Sequence, residues 1–286
     1  MRVAHSFWIK PTTDRWGISR QLEQNLYLYA ISLSYLKKLG VEVVMHTDTE
    51  GLKYFEKFPY DNIYTTIDWL NDNKVSHRFW ASGKIIAQKA EPLGSYHIDG
   101  DVFLKTREVI DYLNSINSDI LTQGPEDFTN AHLRKIYEFN YKEIRNSLGK
   151  NKPAKLDYDK EIESYNCGIV RFSDADLKEQ YIRGYLQMLQ ELHSDKNFIR
   201  KIENNKEYCP DLVIEQTWLA NCSSGHKSGF LFESPSEMQS KAVSLGYQHI
   251  LGSEKYSEYN RYVAEKTLQQ LDSNLYEIIK KTIYNG

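Results

Sequence analysis

Three cysteines, Cys167, Cys209 and Cys222, are too few and odd in number for a disulfide framework, and none stands at a metal-type spacing. They read as reduced thiols of a reducing compartment. No apolar run approaches the roughly 18 residues that span a bilayer. The opening Met1-Arg2-Val3-Ala4-His5-Ser6-Phe7-Trp8 lacks the apolar core of a secretion signal. A soluble cytoplasmic protein is expected. Basic residues do not outnumber acidic ones, 36 against 39 with a net charge of −3, and no basic block stands out. Generic nucleic-acid binding is thereby disfavoured. Internal repeats and low-complexity linkers are lacking too, so residues 1–286 are read as a single domain.

What is present suits a globular chain with a substantial core: 41% hydrophobic and 26% charged residues over 286 positions. Aromatics are plentiful, with 21 Tyr, 11 Phe and 5 Trp. Such rings can serve as platforms for sugars or bases, although packing absorbs most of them. The first half alternates strand-like runs with helical periodicity. Residues 3–8 read as a strand, and Leu22, Leu26, Tyr29, Leu33 and Leu36 as a helix stopped by Gly40. Strands follow at 41–45 and 63–67, then a helix over 79–90 leading into Tyr96-His97-Ile98. This order implies an α/β sandwich with a mainly parallel sheet. Further on, 119–123 and 165–172 read as strands, 141–160 as a polar surface excursion, and 177–193 as an amphipathic helix. Val263, Leu268, Leu271, Leu275, Ile278, Ile279 and Ile283 mark a C-terminal docking helix at about 256–284. Peripheral membrane association through that helix is the weaker reading, with Lys280 and Lys281 as its only basic support.

Asp99-Gly100-Asp101 follows the run at 94–98. Two carboxylates one residue apart at a strand end can hold a hard divalent cation against a phosphate-bearing substrate, and the glycine between them leaves room for a ligand. In parallel α/β sheets ligands bind beyond the carboxyl ends of the strands, where this pair falls. Its plainer reading is a polar turn. Near the C-terminus stands His249-Ile250-Leu251-Gly252-Ser253-Glu254-Lys255. A histidine can ligate a borderline cation such as Mn²⁺, a glycine lets backbone N–H groups approach phosphate oxygens, and a lysine can neutralise them. A surface loop with a solvated lysine is the alternative.

Together, the strand-end Asp-x-Asp and the distal His-x-x-Gly-x-x-Lys resemble the retaining glycosyltransferases of family eight, the glycogenin-like and lipopolysaccharide galactosyltransferase-like enzymes of the GT-A fold. That resemblance implies a single Rossmann-like α/β/α domain with a mainly parallel mixed sheet. It implies Asp99, Asp101 and His249 as ligands of Mn²⁺ (or Mg²⁺), with Gly252 and Lys255 on the donor diphosphate. Two further matches lie between these motifs in the family's order. Asn166-Cys167-Gly168 is similar to an Asn-x-Gly strand lining the sugar and acceptor side. Glu215-Gln216 is similar to an Asp-Gln pair near the transferred sugar. Lys84 resembles a lysine that contacts the donor. There are departures: Lys255 is followed by Tyr256 rather than Pro-Trp, and residues 9–17 do not lead quickly to a base-binding tyrosine, so uridine is only the default base.

The implied reaction moves a sugar from a nucleotide diphosphate sugar to the hydroxyl of a carbohydrate or glycoconjugate acceptor, with retention. Glu215 and Gln216 would position the sugar, and His5, His46, His77, His97, His132, His193 and His226 take no catalytic role. Acceptor choice is expected in the loops around 127–160 and 196–208. Two rival readings remain open at the level of sequence. One is a non-catalytic nucleotide-sugar-binding protein. The other is a metal-dependent phosphohydrolase with Asp99 as nucleophile, against which stands the motif's distance from the first strand.

Overall fold

The computed structural model describes residues 1–14, 21–149, 153, 156, 162–205 and 207–284. Nine strands are assigned among them: β1 (Arg2–Phe7), β2 (Glu42–Thr47), β3 (Asn62–Tyr64), β4 (Tyr96–Ile98), β5 (Val102–Leu104), β6 (Ile120–Pro125), β7 (Tyr165–Phe172), β8 (Ser228–Phe230) and β9 (Tyr247–His249). Seven form one sheet in the order β3-β2-β1-β4-β7-β6-β8, and β5 pairs with β9 in a separate ribbon. Every pairing in the large sheet is parallel except those of β7, which runs against both β4 and β6. The sheet is therefore mixed and mainly parallel, as the alternation of strands and helices implies.

Strand β7 separates the two faces residue by residue. Ile169 joins one buried cluster and Val170 the other, and Leu121 and Ile120 of β6 divide in the same way. The first cluster holds the helix Gln21–Lys38 and the two C-terminal helices Glu258–Leu271 and Ser273–Tyr284. The second holds Ala175–Ser194 and Ala131–Leu148. This is an α/β/α layering with an apolar cluster on either side of one sheet.

Most elements fall where the sequence pattern predicts. Gly40 ends the first long helix region with φ +70°, a conformation that costs glycine little. Two expectations are corrected. The stretch from Tyr141 is not a surface excursion as far as Leu148. It continues the helix Ala131–Leu148 and buries Tyr137, Tyr141, Ile144 and Leu148, a stripe at helical spacing; most of 149–160 lies outside the described residues. The single C-terminal helix is instead two, because Asp272 closes the first and its carboxylate accepts from the Leu275 amide at the start of the second. The base-side residues 15–17 also lie outside the described residues.

Chain order makes a switch point in the sheet. From β1 the chain steps to β2 and β3 on one side, then crosses to β4 on the other. At such a reversal the loops beyond two adjacent carboxyl ends diverge and leave a crevice. Trp8 emerges from β1 into it, and Asp99-Gly100-Asp101 from β4.

Candidate active site

The crevice beyond β1 and β4 is a cleft lined by Lys84, Asp99, Gly100, Asp101 and Lys255, with the rings of Trp8, Tyr29, Trp80 and Tyr256 around them. The Asp99 amide donates to the Gly168 carbonyl at 2.9 Å, fixing the turn where β4 ends. The chain then enters β5, whose Val102 pairs with His249 of β9. That pairing brings the distal histidine to the aspartates: ligand atoms of Asp99, Asp101 and His249 all lie within 4.8 Å of one another.

Local structure explains the delivery of His249. The helix Pro235–Leu245 ends at Gly246 in the left-handed conformation, φ +75°, and the chain turns directly into β9. Tyr247 and His249, two residues apart, point to the same side. Both reach the Gln123 side-chain oxygen: the Tyr247 hydroxyl donates at 2.6 Å and His249 Nδ1 at 2.7 Å. With Nδ1 committed there, Nε2 is the ring nitrogen turned to Asp101 Oδ1, 3.4 Å away. Gln123 is itself aimed by an irregularity in the sheet. The β6–β7 register shifts between Thr122 and Gly124, so Cys167, Gly168 and Ile169 stand opposite Gln123 alone. Gly168 is required at that crowding, because a β-carbon there would lie 2.7 Å from His249 Cε1 and 2.8 Å from Gln123 Oε1.

Two lysines neutralise the two aspartates. Lys84, on the helix Ser82–Ala90, donates to Asp99 Oδ2 at 3.0 Å and to the Cys167 carbonyl at 3.1 Å, and forms an ion pair with Glu215 Oε1 at 2.9 Å. Burial alone would lower its pKa, but Asp99 and Glu215 outweigh burial and hold it above the ordinary lysine value. Lys255 lies in a short 3₁₀ segment, Ser253–Tyr256, and its ammonium is 2.5 Å from Asp101 Oδ2. The carboxylates respond in opposite directions. Burial and the neighbouring Asp101 raise Asp99 despite Lys84. Burial pushes Asp101 up as well, but Lys255 and His249 overcome it and hold it well below the usual range.

The other expected residues occupy the margins of this centre. Glu215 and Gln216 lie in a π-helical stretch, Leu212–Thr217, a wide-turn geometry that recurs at functional sites. Glu215 is fully buried and meets Lys84 rather than the cleft. Gln216 accepts a hydrogen bond from the Tyr137 hydroxyl, away from the aspartates. Asn166 donates to Glu126 at 3.1 Å and accepts from the Gly168 amide at 3.0 Å. Gly252 adopts φ +66° with open space about its Cα, and so serves as a turn before the Lys255 segment. His97, 3.8 Å from Asp99 Oδ1, donates or accepts at the Ser6 hydroxyl. Burial keeps it neutral, with Lys84 acting in the same sense.

Sequence reasoning missed Tyr29, Gln123 and Glu126. Gln123 carried one signal, a long polar side chain within the strand that Ile120 and Leu121 begin. Glu126 follows the same strand, and burial raises its carboxyl, with Asn166 and His249 opposing.

The donor set passes a simple test of fit. Two carboxylates and an imidazole, with Nε2 turned toward the carboxylates, make a mixed oxygen–nitrogen set that suits a divalent cation. Among the described residues no helix is long and apolar enough to cross a membrane. Among solved structures, the chain is similar to the galactosyltransferase LgtC in complex with donor and acceptor sugar analogues, at 10% identity and TM-score 0.47 over 96% of each chain. It is also similar to the apo form of mouse xyloside xylosyltransferase 1, at 12% identity and TM-score 0.40 over 91% of this chain and 98% of that one. A search of curated proteins finds none that matches. A family model matches residues 1–282, and the chain accordingly belongs to the family of unknown function DUF6734.

Proposed function

We propose that this protein is a divalent-metal-dependent glycosyltransferase of the GT-A type, moving a sugar from a nucleotide diphosphate sugar to an acceptor hydroxyl with retention. One observation carries the reading. Asp99 and Asp101, and His249 from 148 residues beyond Asp101, converge within 4.8 Å beside the switch-point cleft, which both aspartates line. A polar turn would need neither the histidine nor the tautomer that Gln123 imposes on it.

In this reading Asp99, Asp101 and His249 hold Mn²⁺ or Mg²⁺, and the bound ion supplies charge stabilisation for the leaving diphosphate. Lys255 and the Gly252 turn face the diphosphate. Lys84 fixes Asp99, and Glu215 behind it keeps that ammonium charged and in place. The rings of Trp8, Trp80 and Tyr256 offer stacking surfaces for the base, uridine by default. Asn166, Gly168 and Gln216 belong to the sugar and acceptor side, where Tyr137 and Glu126 fix the two amides. Such an arrangement contributes preorganised charge rather than a strong protein nucleophile. The acceptor is a carbohydrate or glycoconjugate, and the site of action is the cytoplasm.

Thermal stability tests the reading. The wild type should be stabilised by a nucleotide diphosphate sugar only with Mn²⁺ present, and Asp101→Asn should lose that shift. Absence of a metal-dependent shift with every nucleotide sugar would sink it. Binding without turnover would instead favour a non-catalytic nucleotide-sugar-binding protein.

A further inference from the structure

Lys84 and Lys255 neutralise neighbouring carboxylates, yet they are held very differently. Lys84 has a 5% exposed side chain, and its ammonium meets Asp99, Glu215 and the Cys167 carbonyl, from three segments of the chain. Lys255 has a 19% exposed side chain and stands on a short 3₁₀ segment. Behind that segment lies Gly252, left-handed and with nothing within 4 Å of where its β-carbon would be. In front lies the open cleft, which Lys255 and Tyr256 both line. One cation is built in. The other faces the cleft.

The charge count gives this difference a consequence. Asp99, Asp101 and Glu215 carry three negative charges, and Lys84 and Lys255 return two positive ones. A divalent cation entering alone meets only one net negative charge, and an ammonium stands 2.5 Å from one of its prospective ligands. Repulsion between like charges a few ångströms apart in a partly buried site opposes that entry. A diphosphate entering alone meets the two aspartates. Cation and diphosphate entering together would each remove the other's obstacle: Lys255 would pass from Asp101 to the phosphates, leaving the Asp101 carboxylate to hold the cation.

We propose that Lys255 is a displaceable counter-ion, holding Asp101 neutralised until an anionic ligand draws it away, so that metal and diphosphate load as a coupled pair. This rests on the metal–diphosphate reading of the site and adds the order in which it fills. Coupling of this kind is reciprocal, the metal tightening the diphosphate as much as the diphosphate tightens the metal.

The test is Mn²⁺ binding to the purified full chain, followed by electron paramagnetic resonance of the free ion, with and without uridine diphosphate as the probe. Wild type should bind Mn²⁺ alone weakly and tighten strongly with the diphosphate. Lys255→Met should bind Mn²⁺ alone about tenfold tighter or more, the scale of a lost charge-assisted contact, while binding metal-free uridine diphosphate more weakly. Lys255→Arg should keep the weak metal-alone binding, which separates charge from packing. A thermal melt of each variant without ligand establishes that it is folded. An Mn²⁺ affinity unchanged or reduced in folded Lys255→Met overturns the counter-ion role while leaving the metal site standing, provided the wild type binds Mn²⁺ with the diphosphate. If neither protein binds Mn²⁺ under any condition, the counter-ion role and the underlying function both fall.

Discussion

The ring of Tyr29 lies against the backbone of Gly100, so that a β-carbon on Gly100 would stand 2.5 Å from its Cε2 and Cζ. Tyr29 is anchored there at both ends. Its hydroxyl donates to the Ser6 carbonyl at the end of β1, and its ring packs edge-on to Phe7, His5 and Phe55. Gly100 has no left-handed backbone, so its identity is a matter of space alone.

Gly100→Ala should therefore act through overpacking, costing about 1–3 kcal/mol and displacing the turn that carries both aspartates. Urea unfolding measures the first effect and an Mn²⁺ titration the second. Tyr29→Leu combined with Gly100→Ala should recover part of the metal affinity. A double mutant no better than Gly100→Ala would show that the ring does not set the turn.

Gln123 touches no aspartate, yet it sets the His249 tautomer. Gln123→Ala should weaken Mn²⁺ binding by about 10–100-fold, the usual cost of losing such a supporting group. Gly168→Ala should reach the same end by pressing on the His249 ring. A calorimetric titration in the presence of uridine diphosphate measures both, and an unchanged affinity in both variants would remove His249 from the ligand set.

These two residues also mark how far the sequence could be read. Strand β7 falls at the residues the alternation of 165–172 predicts, and the Asp-x-Asp turn follows β4 as expected, because both depend on local pattern. The helix to Leu148 is equally legible from Tyr137, Tyr141, Ile144 and Leu148, but the charged Glu138, Lys142, Glu143 and Arg145 between them mask the stripe. Asp272 was a visible N-cap and the C-terminal pattern ran across it. Gln123 and Tyr29 belong to another class. One owes its aim to a register shift between two strands, and the other meets Gly100 from a different layer, so neither could be found by spacing along the chain.

Lys84→Met should be strongly destabilising, by about 3–5 kcal/mol, since it strands two carboxylates around a buried position. Adding Glu215→Gln should restore part of the loss. Chemical denaturation of the four proteins of that cycle isolates the pair, and an additive result would deny the coupling.

Away from the cleft, Glu91 receives Arg2 Nε at 2.6 Å and His46 Nε2 at 3.0 Å. Burial alone would raise its carboxyl, but His46 and Arg2 outweigh burial and draw its pKa from 4.5 down to about 2. The folded value lies below the unfolded one, so the stabilisation is present above pH 4.5 and is lost as the pH falls toward 2. At neutral pH it amounts to about 3 kcal/mol. Glu91→Gln should be less stable than wild type at pH 7, and the gap should narrow steadily below pH 4.5. A gap independent of pH would assign the loss to packing.

The pairing of β5 with β9 gives the centre a history as well as a shape. Val102 emerges from a ribosome long before its partner His249, and β1 to β7 can associate while β9 is still unmade. A nascent chain halted before residue 245 is then expected to hold most of the large sheet yet bind no Mn²⁺. Under the proposed function, capture of metal and nucleotide should begin only once residue 249 has been made, and ribosome-arrested chains of increasing length would show when binding switches on.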